Sequence, residues 1–228
     1  MKTIESARTG KIGDKVAYLS PFGQCYHTYV VPRDAYSDAK RHVRDGFGVS
    51  SQAYTLRLTE AQRQLWVTAS LTVPSHVSLG QYAHLDAHQL FMKIDQTLRR
   101  LGREPLDEPP APVIFATQPV GDLVAVTDET GAARLLLNVG PTTDDIMLYA
   151  QPACSRGRMK PRRFYYLGLV GPATNGQVEI TTLYTARFVA PKPGEKVFVM
   201  TCQHKNGWRG PDHITSAVIP PGPAGGQA

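Results

Sequence analysis

Apolar and polar positions change their period along the chain. Between Lys11 and Val31 they alternate, with Val16 and Tyr18 in one run and Cys25, His27, Tyr29 and Val31 in the next. The reversal between the runs reads Ser20-Pro21-Phe22-Gly23. Alternation around a Pro- and Gly-bearing turn predicts a β-hairpin. Pro32 ends the second run, since proline has no N–H to give a ladder. Residues 1–10 read as a polar arm leading into the hairpin.

From residue 34 to 57 the period lengthens. Ala39, Val43 and Phe47, then Ala53 and Leu56, fall near one helical stripe. Gly46 and Gly48 each weaken a helix by about 1 kcal/mol, so a break is expected there. Thr59 with Gln62, and Asp86 with Gln89, have the spacing of a capping box, which marks a helix start at each. The first of these helices presents Ala61, Leu65, Trp66 and Ala69; the second presents Ala87, Leu90, Phe91, Ile94, Leu98 and Leu101. Arg99, Arg100 and Gly102 are residues that end a helix. The stretch between the two helices reads as a loop.

Four of the ten residues from Arg103 to Pro112 are proline, which predicts an extended linker. Beyond it the pattern is β, with strands expected at 113–116, 122–127, 133–139, 145–151, 163–170, 177–188, 196–203 and 213–218. Short strands separated by Gly, Pro and Asp turns predict an antiparallel sandwich. No helical period interrupts them, which disfavours a doubly wound parallel sheet. The expected fold class is therefore α+β. The divisions are an arm and hairpin at 1–33, a helical region at 34–104, a linker at 105–112, a β-sandwich at 113–219 and a flexible tail at 220–228.

Two resemblances refine this picture. The segment from Pro191 to Pro220 resembles the last two strands of a fibronectin type III domain, a relative of the immunoglobulin fold. It has a Pro193-Gly194 corner, an aromatic-bearing strand, a polar Gly-containing loop and a final strand entered past a proline. Phe198 stands where that family usually carries a tyrosine bonded back to the backbone. The stretch from Gly10 to Trp66 resembles the N-terminal region of an uncharacterised bacterial family with phage-like members. Its carriers are Gly10, Gly13, Phe22-Gly23, Pro32 and the helix from Leu58 to Trp66, "LTEAQRQLW". Ser20-Pro21 replaces the basic residues usual around that turn. The resemblance implies a C-terminal fibronectin-like domain and attaches no activity.

Composition narrows the classes. Apolar residues make up 42% of the 228 and charged residues 19%, so the chain can build a core. Its net charge is +6, which suits a polyanionic partner such as nucleic acid or an acidic protein surface. Three cysteines without a CxxC argue against a disulfide framework and for a reducing compartment. The start shows no apolar signal segment, so synthesis in the cytoplasm is expected, with a place in a virion or particle open to the product. No apolar run reaches the roughly 18 residues of a membrane span.

Candidate chemistry is sparse. Cys25 with His27, and Cys202 with His204, each place two possible metal ligands on one strand face, but not at zinc-finger spacing. His84 and His88 are four apart, yet a cap at Asp86 leaves His84 outside the helix. Acid pairs occur at Asp107-Glu108, Asp128-Glu129 and Asp144-Asp145, all in turn-like or linker stretches. There is no nucleophile elbow and no phosphate loop. The strongest feature is basic: Arg156, Arg158, Lys160, Arg162 and Arg163 put five cations in eight residues, with Tyr165 and Tyr166 following. Arginine forks suit phosphate or carboxylate, and aromatic rings stack on bases.

The expectation is a non-enzymatic structural or assembly protein without cofactor or metal. It would self-associate or bind another structural protein, in a virion or phage-tail-like particle. Val16, Tyr18, Tyr29 and Val31 would form the assembly arm, because two isolated strands are not stable alone. The alternative is a nucleic-acid or other polyanion binder using Arg156–Arg163 with Tyr165 and Tyr166.

Overall fold

Alternating side chains and positive-φ glycines account for the first element group in the computed structural model, which describes residues 9–20, 23–30, 37–75, 84–115, 119–128, 130–171 and 176–221. The expected hairpin is a three-stranded antiparallel meander, β1 (Gly10–Ile12), β2 (Lys15–Ser20) and β3 (Gly23–Thr28). Strand β1 lies at the end of the supposed polar arm. It reverses through Gly13, whose φ of 61° opens a two-residue turn, so that Ile12 faces Lys15. Strands β2 and β3 pair from Lys15↔Thr28 to Ser20↔Gly23. Val31, Pro32, Pro21-Phe22, residues 1–8 and the tail from 222 lie outside the described residues.

Helix α1 (Asp38–Gln52) starts at Ser37, whose hydroxyl accepts from the Lys40 N–H at 3.3 Å. It runs through Gly46 and Gly48 without the expected break, then widens into a π-helical turn at Ala53–Arg57. Helix α2 (Glu60–Ser70) begins with the expected capping box. Thr59 Oγ1 accepts from the Gln62 N–H, and Gln62 Oε1 accepts from the Thr59 N–H at 2.8 Å. Trp66 is fully buried. Helix α3 (Ala87–Arg100) opens with Asp86 Oδ2 accepting from the His88 N–H, and Gln89 Oε1 accepting from the Asp86 N–H. It ends in a Schellman motif: Gly102 sits at φ 66°, with Gly102 N–H on Arg99 O and Arg103 N–H on Leu98 O.

The chain divides into two compact units, Met1–Leu90 and Phe91–Ala228. The second holds two antiparallel sheets. One is β4 (Val120–Thr127), β5 (Ala133–Val139) and β9 (Gln177–Glu179), in the order β4-β5-β9. The other is built on β10 (Glu195–Lys205), which pairs with β6 (Asp145–Ala150) on one side and β12 (His213–Val218) on the other. Strand β8 (Tyr165–Leu169) pairs with β6, while the short β7 (Cys154–Ser155) and β11 (Trp208–Arg209) pair with β10.

Both sheets feed one apolar cluster. Leu123, Leu135, Leu137 and Val178 from the first meet Ile146, Leu148, Val197 and Val199 from the second. The outer face of the larger sheet carries another cluster, Met147, Tyr149, Met200 and Cys202, packed by Leu101, Phe164, Tyr166 and Leu169. Strand β10 is thus covered on both faces, so every residue from Val197 to His204 is buried and its polar alternation is lost.

Three expectations change. Val113–Phe115 carries no strand, and Ile114 is 98% exposed. The strand expected at 177–188 stops at Glu179 and becomes a short helix, α4 (Thr181–Thr185). Threonine and tyrosine favour strands, but Tyr184 is drawn inward and packing overrides that preference. Phe198 faces away from the common core, on the side of Met200 and Cys202, and the Lys196 ammonium sits 4.9 Å from its ring centre. The Tyr184 hydroxyl donates to Gln151 O at 3.1 Å.

Candidate functional site

The basic stretch is a loop whose backbone is fixed and four of whose five cations are exposed. Strand β7 ties its start to β10. The Arg158 N–H closes a turn on Ser155 O at 3.0 Å, and Lys196 Nζ donates to Arg158 O at 3.3 Å. The buried Gln151 side chain accepts from the Arg162 N–H at 2.7 Å. Arg156, Lys160, Arg162 and Arg163 are exposed and Arg158 is half-buried. Among the described residues none of these five cations takes part in an ion pair.

The two tyrosines do not act together. They are successive residues of β8, so they face opposite sides of the sheet. Tyr165 has the Arg163 guanidinium 5.2 Å and the Arg187 guanidinium 5.0 Å from its ring centre, with Phe188 at its edge. Tyr166 packs at a tilt against Tyr149, ring centres 5.3 Å apart, with Arg100 5.9 Å away, and burial raises its pKa. Tyr166 therefore belongs to the packed outer face and leaves the basic surface. Arg187 joins that surface from just past α4, far along the sequence, where nothing local marks it.

The arm residues divide similarly. Val16 and Tyr18 share one face of β2, half-buried and exposed respectively. Tyr29 lies just beyond β3, exposed, with the Lys11 ammonium 3.9 Å from its ring centre. Val31 lies outside the described residues. The sequence reading missed the opposite face, where Ile12, Leu19 and Tyr26 are 38%, 60% and 50% exposed. Of the described residues in the three strands, Ala17 alone is buried. Helix α1 likewise turns Val43 and Phe47 to solvent, at 66% and 56% exposure, although the stripe predicted them inside.

No protein-family model, curated protein or solved structure matches the chain. Several other chemistry-bearing residues are engaged locally. Cys202 is buried and accepts from Arg209 Nε at 3.1 Å, and burial raises its pKa. Cys25 lies 3.4 Å from Ser20 Oγ beside the exposed His27. His84 precedes α3, in a bridge to Pro74, while His88 Nε2 meets Ser51 Oγ at 3.1 Å. That Ser–His pair has the geometry of a nucleophile and base, but the Asp86 carboxylate is bonded to the His88 amide rather than its ring. Among the described residues no three His, Cys, Asp or Glu side chains gather as a metal site. None of the described helices is long and apolar enough to cross a membrane.

His204 is the titratable group with the clearest consequence. Its Nε2 accepts from the Gly207 N–H at 3.0 Å, so the neutral ring carries its proton on Nδ1. Asp145 Oδ2 is 3.7 Å from that nitrogen, too far for a hydrogen bond, and Arg103 engages the same carboxylate. Burial lowers the His204 pKa; Asp145 opposes the shift and Arg103 adds to it. The unfolded chain thus binds this proton more readily than the native one. Stability is full above about pH 6.5 and falls as pH drops through the native pKa. Urea midpoints taken from pH 8 down to 5 will decline, and the His204→Gln variant will decline less. Equal declines would remove His204 as the cause.

Proposed function

We propose that the protein is a non-enzymatic structural component that assembles with copies of itself through its N-terminal sheet. The observation carrying this reading is a three-stranded sheet with apolar side chains exposed on both faces and only Ala17 buried in its described strands. A sheet this small needs a covered hydrophobic face to persist. Tyr18 stands exposed on one face, and Leu19 and Tyr26 on the other, around the buried Ala17. Both edges, β1 and β3, are open to strand addition among the described residues. The only charges from Thr9 to Val30 are Lys11, Asp14 and Lys15, so two copies approach with little repulsion. A second copy can therefore cover the first in a symmetric pair. The particle type, a virion or phage-tail-like assembly, rests on the resemblance of Gly10–Trp66 alone.

We also infer that the second unit is a fibronectin type III-like sandwich serving as the rigid body of that assembly. Three features support it: the three-stranded order β4-β5-β9, the four-stranded run β8-β6-β10-β12, and the Tyr184 hydroxyl bonded to backbone. The assembly reading is tested by mass in solution against concentration, for the parent and for Leu19→Asp/Tyr26→Asp. The double variant should remain monomeric where the parent associates.

A further inference from the structure

Beyond self-assembly, the second unit presents an exposed basic surface. Arg163 and Arg187 flank one ring, Tyr165, and both guanidiniums are exposed. The two forks stand no farther apart than the sum of their distances to that ring. Arg187 also donates to Tyr166 O at 3.2 Å, which holds it against β8. Stacking on tyrosine orients a guanidinium and leaves its N–H edge available for an anion. Arg156, Lys160 and Arg162 are exposed on the adjoining loop, where the ladder sets Glu195 opposite Ser155. No acidic residue occurs from Gln151 to Val178.

Neither unit offers a complement by net charge. Residues 1–90 hold 10 basic and 7 acidic side chains, and residues 91–228 hold 15 and 12. Both units are net basic, so a second copy offers no acidic unit to this row. A partner of dense negative charge suits this surface best.

We propose that Arg163 and Arg187, with the Arg156–Arg162 loop, bind the phosphate backbone of duplex nucleic acid without reading its sequence. A row of one sign fits a polymer of one sign; protein partners that fix register by charge interleave both. Single-strand binders rely on free rings for stacking. Here Tyr165 is engaged by two guanidiniums and Phe188, so it orients cations rather than bases. Phosphate contact alone is the mode of sequence-independent duplex binding.

The test is fluorescence anisotropy of a labelled duplex of about 20 base pairs, titrated with the 228-residue chain at several salt concentrations. The parent should bind at low salt, with affinity falling steeply as salt rises. Arg163→Gln/Arg187→Gln should weaken binding about tenfold near physiological salt and shallow the log–log salt slope by about two. Arg163→Lys/Arg187→Lys should keep most of the slope. An unchanged thermal midpoint shows that the exposed substitutions leave the fold intact. No binding at low salt, or the same affinity and slope in the glutamine variant, overturns the proposal. So does tighter binding of the matching single strand or of polyglutamate.

Discussion

Replacing Gly207 with alanine will lower the stability of the protein by about 3 kcal/mol. Gly207 follows Asn206 in the two-residue turn between β10 and β11, at φ 83° and 49° respectively. Both values lie in the left-handed region that a two-residue hairpin of this kind demands. A β-carbon at Gly207 would also meet Ile94 Cγ2 inside contact distance, with the Ile94 carbonyl at 3.4 Å. Ile94 is buried in α3, so it cannot move aside freely. Backbone strain and overpacking therefore act together. The Gly207 N–H bond to His204 Nε2 is disturbed as well. Gly157→Ala is the control: its loop site has open space and no positive φ, so its effect stays within about 0.5 kcal/mol. Urea unfolding of the two variants separates the outcomes. A Gly207→Ala midpoint equal to the control would mean the turn is not held as described.

Tyr184→Phe will cost about 2 kcal/mol, although it removes one oxygen and no packing volume. The ring is fully buried between the sheets, and its hydroxyl supplies a hydrogen bond to the Gln151 carbonyl. Without it that carbonyl is left short of a partner in the core. Burial pushes the Tyr184 pKa up to about 12, against the pull of a nearby Ala153 amide. The unfolded chain ionises near pH 10, so native stability falls as pH rises from about 10 towards 12. The phenylalanine variant lacks this loss. The gap between parent and variant should therefore narrow above pH 10 in denaturant titrations. A constant gap would show that the hydroxyl contributes nothing as an ionisable group.

The local signals in the sequence were legible because their physics is local. Thr59 with Gln62, Asp86 with Gln89, and Gly102 after Arg99 and Arg100 are short-range devices, and each stands where expected. Most β-strands of the second unit were readable from alternation between turns. What failed depended on distant contacts. Strand β1 is three residues long, too short for a period to show. Residues 181–185 have strand-forming side chains but turn helical around Tyr184. Val43 and Phe47 have inward spacing yet stand exposed, because periodicity gives a face and not what covers it. The basic row was half visible. Its five loop cations are contiguous, whereas Arg187 reaches Tyr165 only through the fold, and the pleat separates Tyr166 from it.

Self-assembly requires that another copy cover the exposed apolar residues of the N-terminal sheet. Light scattering after gel filtration, over a wide range of loading concentrations, measures this directly. The mass should rise above the 25.0 kDa of one chain as concentration increases, and a Leu19→Asp/Tyr26→Asp variant should stay at one chain. A parent that remains at 25.0 kDa at every concentration would contradict it.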